Sequence, residues 1–313
     1  VPNKFASHLE QLGPGSDPHY SLAQARAYCE RFALDHEENF PVLSLAVPKG
    51  LRSDFAAIYA YCRWADDLGD EIGDPQQSLS LLDWWESEVR ETFADRPKHP
   101  VMVALRPTIE RFAIPIDPFT DLLSAFRQDQ QVVRYESMAD LLNYCRRSAN
   151  PVGRLVLYLW GSARAETFLL SDAICTGLQL ANFWQDVGVD YRSKGRIYIP
   201  LEMLARYGAG EELIAAGLSS PIYRALLEEL VLDADRWLWT GLPLARLLPG
   251  RSGIMTAMFA EGGRAILRRI QAEKYNTLEH RPRLSRWDKF SVMARGLAYW
   301  GRLSAGSALA GAG

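Results

Sequence analysis

At 313 residues the chain can form one large domain or two small ones, and 48% hydrophobic with 23% charged residues is the balance of a globular protein. A net charge of −3 supplies no basic field for nucleic acid, and no apolar run approaches the ~20 residues of a membrane span. Cys29, Cys62, Cys145 and Cys175 are scattered with no C-x-x-C pair, so no zinc site or disulfide framework is read and a reducing, cytoplasmic setting is expected.

Residues 1–20 are polar and rich in Pro and Gly, and they read as a flexible arm without a signal peptide. Ser21 opens a helix to about Asp35, which His36-Glu37-Glu38-Asn39-Phe40-Pro41 breaks. A long helix over 51–69 follows the Pro48-Lys49-Gly50 turn, with Phe55, Ile58, Tyr59 and Cys62 as its apolar stripe. Helices are expected over 77–94, 100–112, 119–128, 137–147 and 151–162, separated by proline-bearing breaks. Another long helix over 166–189 ends in the basic loop Tyr191–Pro200. Beyond it come 201–206, 211–216, 219–240, 252–274 and 286–304. No stretch alternates like a strand between hairpin signals. The expectation is a single all-α domain over 21–304, around a central cavity, with 305–313 as a frayed tail.

Two acidic runs, about 120 residues apart, stand out. In Arg63-Trp64-Ala65-Asp66-Asp67-Leu68-Gly69-Asp70, Arg63, Asp66, Asp67 and Asp70 recur at i, i+3, i+4 and i+7. Gln179, Asn182, Asp186 and Asp190 recur at i, i+3, i+7 and i+11. Each set lies on one stripe of a helix. Like charges one turn apart repel, and the helix dipole disfavours them near a C-terminus, so such stripes call for a cation. Oxygen ligands suit Mg²⁺, which takes a few carboxylates with water and phosphate oxygens. Two facing stripes would hold Mg²⁺ around a diphosphate; the alternative is two solvated acidic helix ends.

Arg63, Lys194 and Arg196 lie close to these carboxylates in sequence. They would either pair with them or hold the diphosphate oxygens that Mg²⁺ does not reach. The polar run Phe126–Glu136, with Asp129 and Gln130, reads as a surface face on its own, and Tyr144 as a packing residue. Aromatic residues make 11% of the chain, and ring faces in a cavity would also suit a carbocation.

Asp66-Asp67-Leu68-Gly69-Asp70, Tyr144 with Gly153, and Gln179, Asn182, Asp186 and Asp190 followed by Gly195-Arg196-Ile197-Tyr198-Ile199-Pro200 resemble the squalene/phytoene synthase family. The resemblance runs from about residue 22 to 285. It implies the all-α class I isoprenoid synthase fold and Mg²⁺-assisted loss of diphosphate from a prenyl substrate. Glu38–Val42, Ser148–Arg154 and Gly262–Leu267 are similar to the HpnC, or hydroxysqualene synthase, branch. Asn150-Pro151 stands where condensing members usually carry Ala-Gly, and Gly263 where they usually carry tyrosine.

The resemblance implies that presqualene diphosphate ionises, rearranges and is captured by water, without NADPH. It assigns Asp66, Asp70, Asp186, Asp190 and Asn182 to Mg²⁺. It assigns Arg63, Asn39, Phe40, Gln179, Lys194, Arg196 and Tyr198 to substrate and diphosphate, and Tyr144, Asp129, Gln130 and Asn182 to the reacting centre. A condensing synthase acting on two farnesyl diphosphates is the first rival, and a non-catalytic helical scaffold the second. Peripheral membrane contact through 286–304, with Trp287, Phe290, Met293, Leu297 and Trp300 among basic residues, is a further expectation, as is handover with neighbouring squalene-pathway enzymes.

Overall fold

A computed structural model describes residues 4–16, 18–35, 47–285, 288 and 291–299. Helices make up 74% of the described residues and no strand occurs among them, so the fold is all-α. No helix among them is long and apolar enough to cross a membrane. The chain forms two compact units, Val1–Gln131 with Arg154–Ala163, and Val132–Gly153 with Arg164–Gly313.

The first unit contains α1 (Lys4–Leu12), α2 (Leu22–Asp35), α3 (Arg52–Asp70), α4 (Pro75–Phe93), α5 (Pro100–Phe112) and α6 (Asp117–Asp129). Local chemistry sets several boundaries. The Asp74 carboxylate caps α4 by accepting from Gln77 N at 2.7 Å, with Pro75 in the first turn where its missing N–H costs nothing. His99 caps α5 through Nδ1, which accepts from Val101 N at 3.2 Å. Its ring meets Trp64 and Trp85 edge-on at 4.6 and 4.8 Å, and burial lowers its pKa to about 3, so it stays neutral.

The expected loose arm is instead helical over Lys4–Leu12. Phe5 and Leu12 are buried, and Phe5 meets Trp64 edge-on at 5.0 Å. Two apolar anchors at the ends of a polar stretch outweigh its composition. Of the expected α3 stripe, Phe55 and Ile58 are buried, but the rest differs. Tyr61, Trp64, Ala65 and Leu68 are fully buried, whereas Tyr59 and Cys62 are half-buried.

The second unit holds α7 (Met138–Ser148) and α9 (Ala165–Lys194), and α8 (Asn150–Leu159) runs from it into the first. It continues through α10 (Leu201–Arg206), α11 (Glu212–Ala215), α12 (Pro221–Gly241), α13 (Leu244–Leu247) and α14 (Arg251–Ala272). The 30-residue α9, about 45 Å long, is its axis, with α12 and α14 packed along it. It outruns the expected end at 189, because Arg192 and Lys194 suit the negative end of the dipole. Gly195 then stops it at φ 62°, with Gly195 N donating to Tyr191 O and Arg196 N to Asp190 O. The short α13 went unread in sequence. Residues 288 and 291–299 are helical; Trp287, Phe290 and Trp300 lie outside the described residues.

Candidate active site

In the first unit, Asp66 and Asp70 lie on the face of α3 that also carries Tyr59 and Cys62, two turns and one turn before Asp66. Asp66 is half-buried and Asp70 exposed, so this face reaches solvent at its C-terminal end. Asp67, the next residue along the helix, is 1% exposed. Arg63 bridges them, its Nη1 3.3 Å from Asp66 and its Nη2 2.5 Å from Asp67. Burial raises the Asp67 carboxyl to about 6 against the downward pull of Arg63. The same guanidinium therefore serves a half-buried and a buried carboxylate.

Gln130 closes the end of this helix. Its Nε2 donates to Gly69 O at 2.9 Å and to Phe126 O at 3.2 Å, which ties the end of α6 to the end of α3. Gln130 and its buried neighbour Asp129 are thus gathered beside the first acidic run, although nothing in their spacing linked them to it.

In the second unit, Gln179, Asp186 and Asp190 are half-buried and Asn182 exposed, all on one stripe of α9. The opposite side, with Leu180, Ala181 and Trp184, is buried. Asp186 is forked by Arg281, Nε to Oδ1 at 2.5 Å and Nη2 to Oδ2 at 2.9 Å. Sequence reasoning missed Arg281 because it lies 95 residues downstream in a loop with no periodic signal.

That loop is tied to α9 at several points. Gln185 Nε2 donates to Pro282 O at 2.6 Å, and Arg192 Nη1 to Leu278 O at 2.8 Å. Gly188 makes the crossing possible, since a Cβ there would lie 2.5 Å from Leu278 O.

Tyr144 on α7, Phe183 on α9 and Tyr198 in the loop after α9 form an aromatic cluster with Tyr135. Phe183 and Tyr198 stack at 3.8 Å and 11°. The expected residues Tyr144 and Tyr198 are therefore brought together, with their rings 6.1 Å apart. Arg196 is half-buried and Lys194 exposed. Gly153 lets α8 approach α9, because a Cβ there would meet Ser171 Oγ at 2.4 Å and Cys175 Sγ at 2.5 Å. Asn39 and Phe40 lie outside the described residues.

Among the described residues, no group of three or more His, Cys, Asp or Glu side chains is arranged to hold a metal ion. The donor set still fits Mg²⁺, which needs only one or two carboxylates when water and phosphate oxygens complete its shell. Each stripe offers such a carboxylate pair one turn apart, Asp66 with Asp70 and Asp186 with Asp190.

The squalene/phytoene synthase family model matches residues 34–288. A hydroxysqualene synthase from Rhodopseudomonas palustris is 35% identical over 237 residues, 75% of this chain and 80% of its own. A phytoene synthase from Arthrospira platensis is 30% identical over 280 residues, 85% of this chain and 90% of its own. Among solved structures, squalene synthase HpnC from Alicyclobacillus acidocaldarius is similar, with a TM-score of 0.78 and 40% identity over 82% of this chain and 96% of that one. With its all-α architecture and paired acidic stripes, the chain belongs to the squalene/phytoene synthase family.

Proposed function

We propose that the protein is a hydroxysqualene synthase that removes diphosphate from presqualene diphosphate and passes the rearranged cation to water. The observation that carries this reading is a solvent-reaching carboxylate pair on each of α3 and α9, in a chain 35% identical to a hydroxysqualene synthase over 75% of its length. Asp66, Asp70, Asp186 and Asp190, with Asn182 assisting, would hold Mg²⁺. When bound, the metal supplies the positive charge that stabilises the departing diphosphate.

This chain's own residues do the rest. Arg63, Lys194 and Arg196 hold diphosphate oxygens through charge-assisted hydrogen bonds. The carbon–oxygen bond breaks with its electron pair leaving on diphosphate. The cyclopropylcarbinyl cation that remains rearranges, and a water oxygen closes it with loss of one proton. The balance needs no reductant. The Tyr144, Phe183 and Tyr198 rings offer faces that attract a cation.

A second reading, condensation of two farnesyl diphosphates, draws on the phytoene synthase relative, which matches 85% of the chain. The two are separated by offering presqualene diphosphate and farnesyl diphosphate one at a time with Mg²⁺ and identifying the products by mass spectrometry. Consumption of presqualene diphosphate to a C30 alcohol supports the proposal; consumption of farnesyl diphosphate alone replaces it with the second reading. Contact with a membrane surface through the exposed Met293 and Leu297 is part of the same proposal, and co-sedimentation with anionic vesicles tests it.

A further inference from the structure

In the second unit, the segment entering α7 runs beside the segment leaving α9. Ile197 N donates to Val133 O at 3.0 Å, Leu201 N to Tyr135 O at 2.9 Å and Glu202 N to Glu136 O at 3.0 Å. Arg134 lies within this pairing and serves four acceptors. Its Nε and Nη2 fork onto Glu211 Oε1 and Oε2 at 2.6 and 2.8 Å. Its Nη1 donates to Val133 O at 2.8 Å and to Gly195 O at 2.5 Å.

Gly195 ends α9 in the left-handed region, and a helix leaves its last carbonyls without partners inside the helix. Arg134 gives the Gly195 carbonyl such a partner just before Arg196 and two residues before the Ile197 amide. Glu211 fixes the guanidinium from the other side. The ion pair is partly exposed, 25% for Arg134 and 43% for Glu211, so it contributes little to global stability. What the four bonds define together is the path of residues 195–198.

We propose that Arg134 is a positioning residue that aims Arg196 and Tyr198 at the substrate by clamping Gly195 to the 132–137 segment and to Glu211. The proposal rests on the diphosphate-binding role given above to Arg196. A lysine cannot replace the clamp, because one ammonium cannot reproduce the planar fork and the carbonyl bonds at once.

The test compares wild type with Arg134→Gln, Arg134→Lys and Glu211→Gln. It follows amide exchange over 195–202, binding of inorganic diphosphate with Mg²⁺, KM and kcat on presqualene diphosphate, and the melting temperature. Arg134→Gln should speed exchange at Ile197 and weaken both diphosphate binding and KM by about tenfold, with the melting temperature nearly unchanged. Arg134→Lys should recover only part of this, and Glu211→Gln should lose less, since the carbonyl contacts remain. Unchanged exchange and unchanged diphosphate affinity in Arg134→Gln would overturn the proposal. So would a fall in melting temperature with exchange and affinity otherwise as in wild type. If wild type turns over no prenyl diphosphate, the functional reading fails, while exchange and inorganic diphosphate binding still decide the clamp.

Discussion

Arg281 lies against Asp186 in a two-pronged pair, with both carboxylate oxygens accepting from one guanidinium at 2.5 and 2.9 Å. The carboxylate proposed to bind Mg²⁺ thus carries a counter-charge from within the chain, with which a metal would compete. The pair is 44% and 21% exposed, which limits its worth to about 1 kcal/mol. Arg281→Gln should therefore tighten binding of Mg²⁺ alone by up to about fivefold, as read by calorimetry without substrate. Unchanged affinity would mean that the pair does not compete with the metal.

Asp66 and Asp186 are half-buried on solvent-reaching stripes, so neither is part of the packed core. Alanine at either position should lower turnover by at least about a hundredfold and leave the helical circular dichroism intact. Retained turnover in both variants would remove the metal assignment.

Asp67 gives a stability signature. Burial raises its folded-state carboxyl to about 6 from an ordinary 3.8, so the native protein holds this proton more tightly than the unfolded chain. The contribution is present below about pH 4 and is lost as pH rises through 6. Asp67→Asn should flatten that part of the pH profile in urea midpoints measured from pH 4 to 7. A variant profile that still falls over this window would place the titration on another group.

Gly188 carries the crossing of residues 277–282 over α9. A methyl group there would meet the Leu278 backbone oxygen at 2.5 Å, and backbone cannot rotate away. Gly188→Ala should cost about 1–3 kcal/mol in chemical denaturation and loosen Arg281 from Asp186. A neutral result would show that the loop shifts freely.

Most helices were legible because their ends carry explicit chemistry. The expected 100–112 and 201–206 match Pro100–Phe112 and Leu201–Arg206, each bounded by proline or a turn. The acidic stripes were legible because carboxylates at helical spacing are costly without a cation. Residues 4–12 were misread because composition hid the two anchors, Phe5 and Leu12. In the α3 stripe Phe55 and Ile58 were read correctly as core, but Tyr59 and Cys62 were misread because they share the face of Asp66, so an apolar start to a polar face looked like core. Arg281 and the Arg134–Glu211 clamp depend on tertiary contacts across 95 and 77 residues, which no local pattern encodes.

The central claim is capture of a rearranged cation by water, and oxygen labelling tests it directly. Presqualene diphosphate would be incubated with the protein and Mg²⁺ in water enriched in oxygen-18, and the C30 product analysed by mass spectrometry. The account predicts a C30 alcohol carrying one oxygen-18 atom. A C30 alcohol that retains unlabelled oxygen, or a presqualene diphosphate pool left intact while farnesyl diphosphate is consumed, would contradict it.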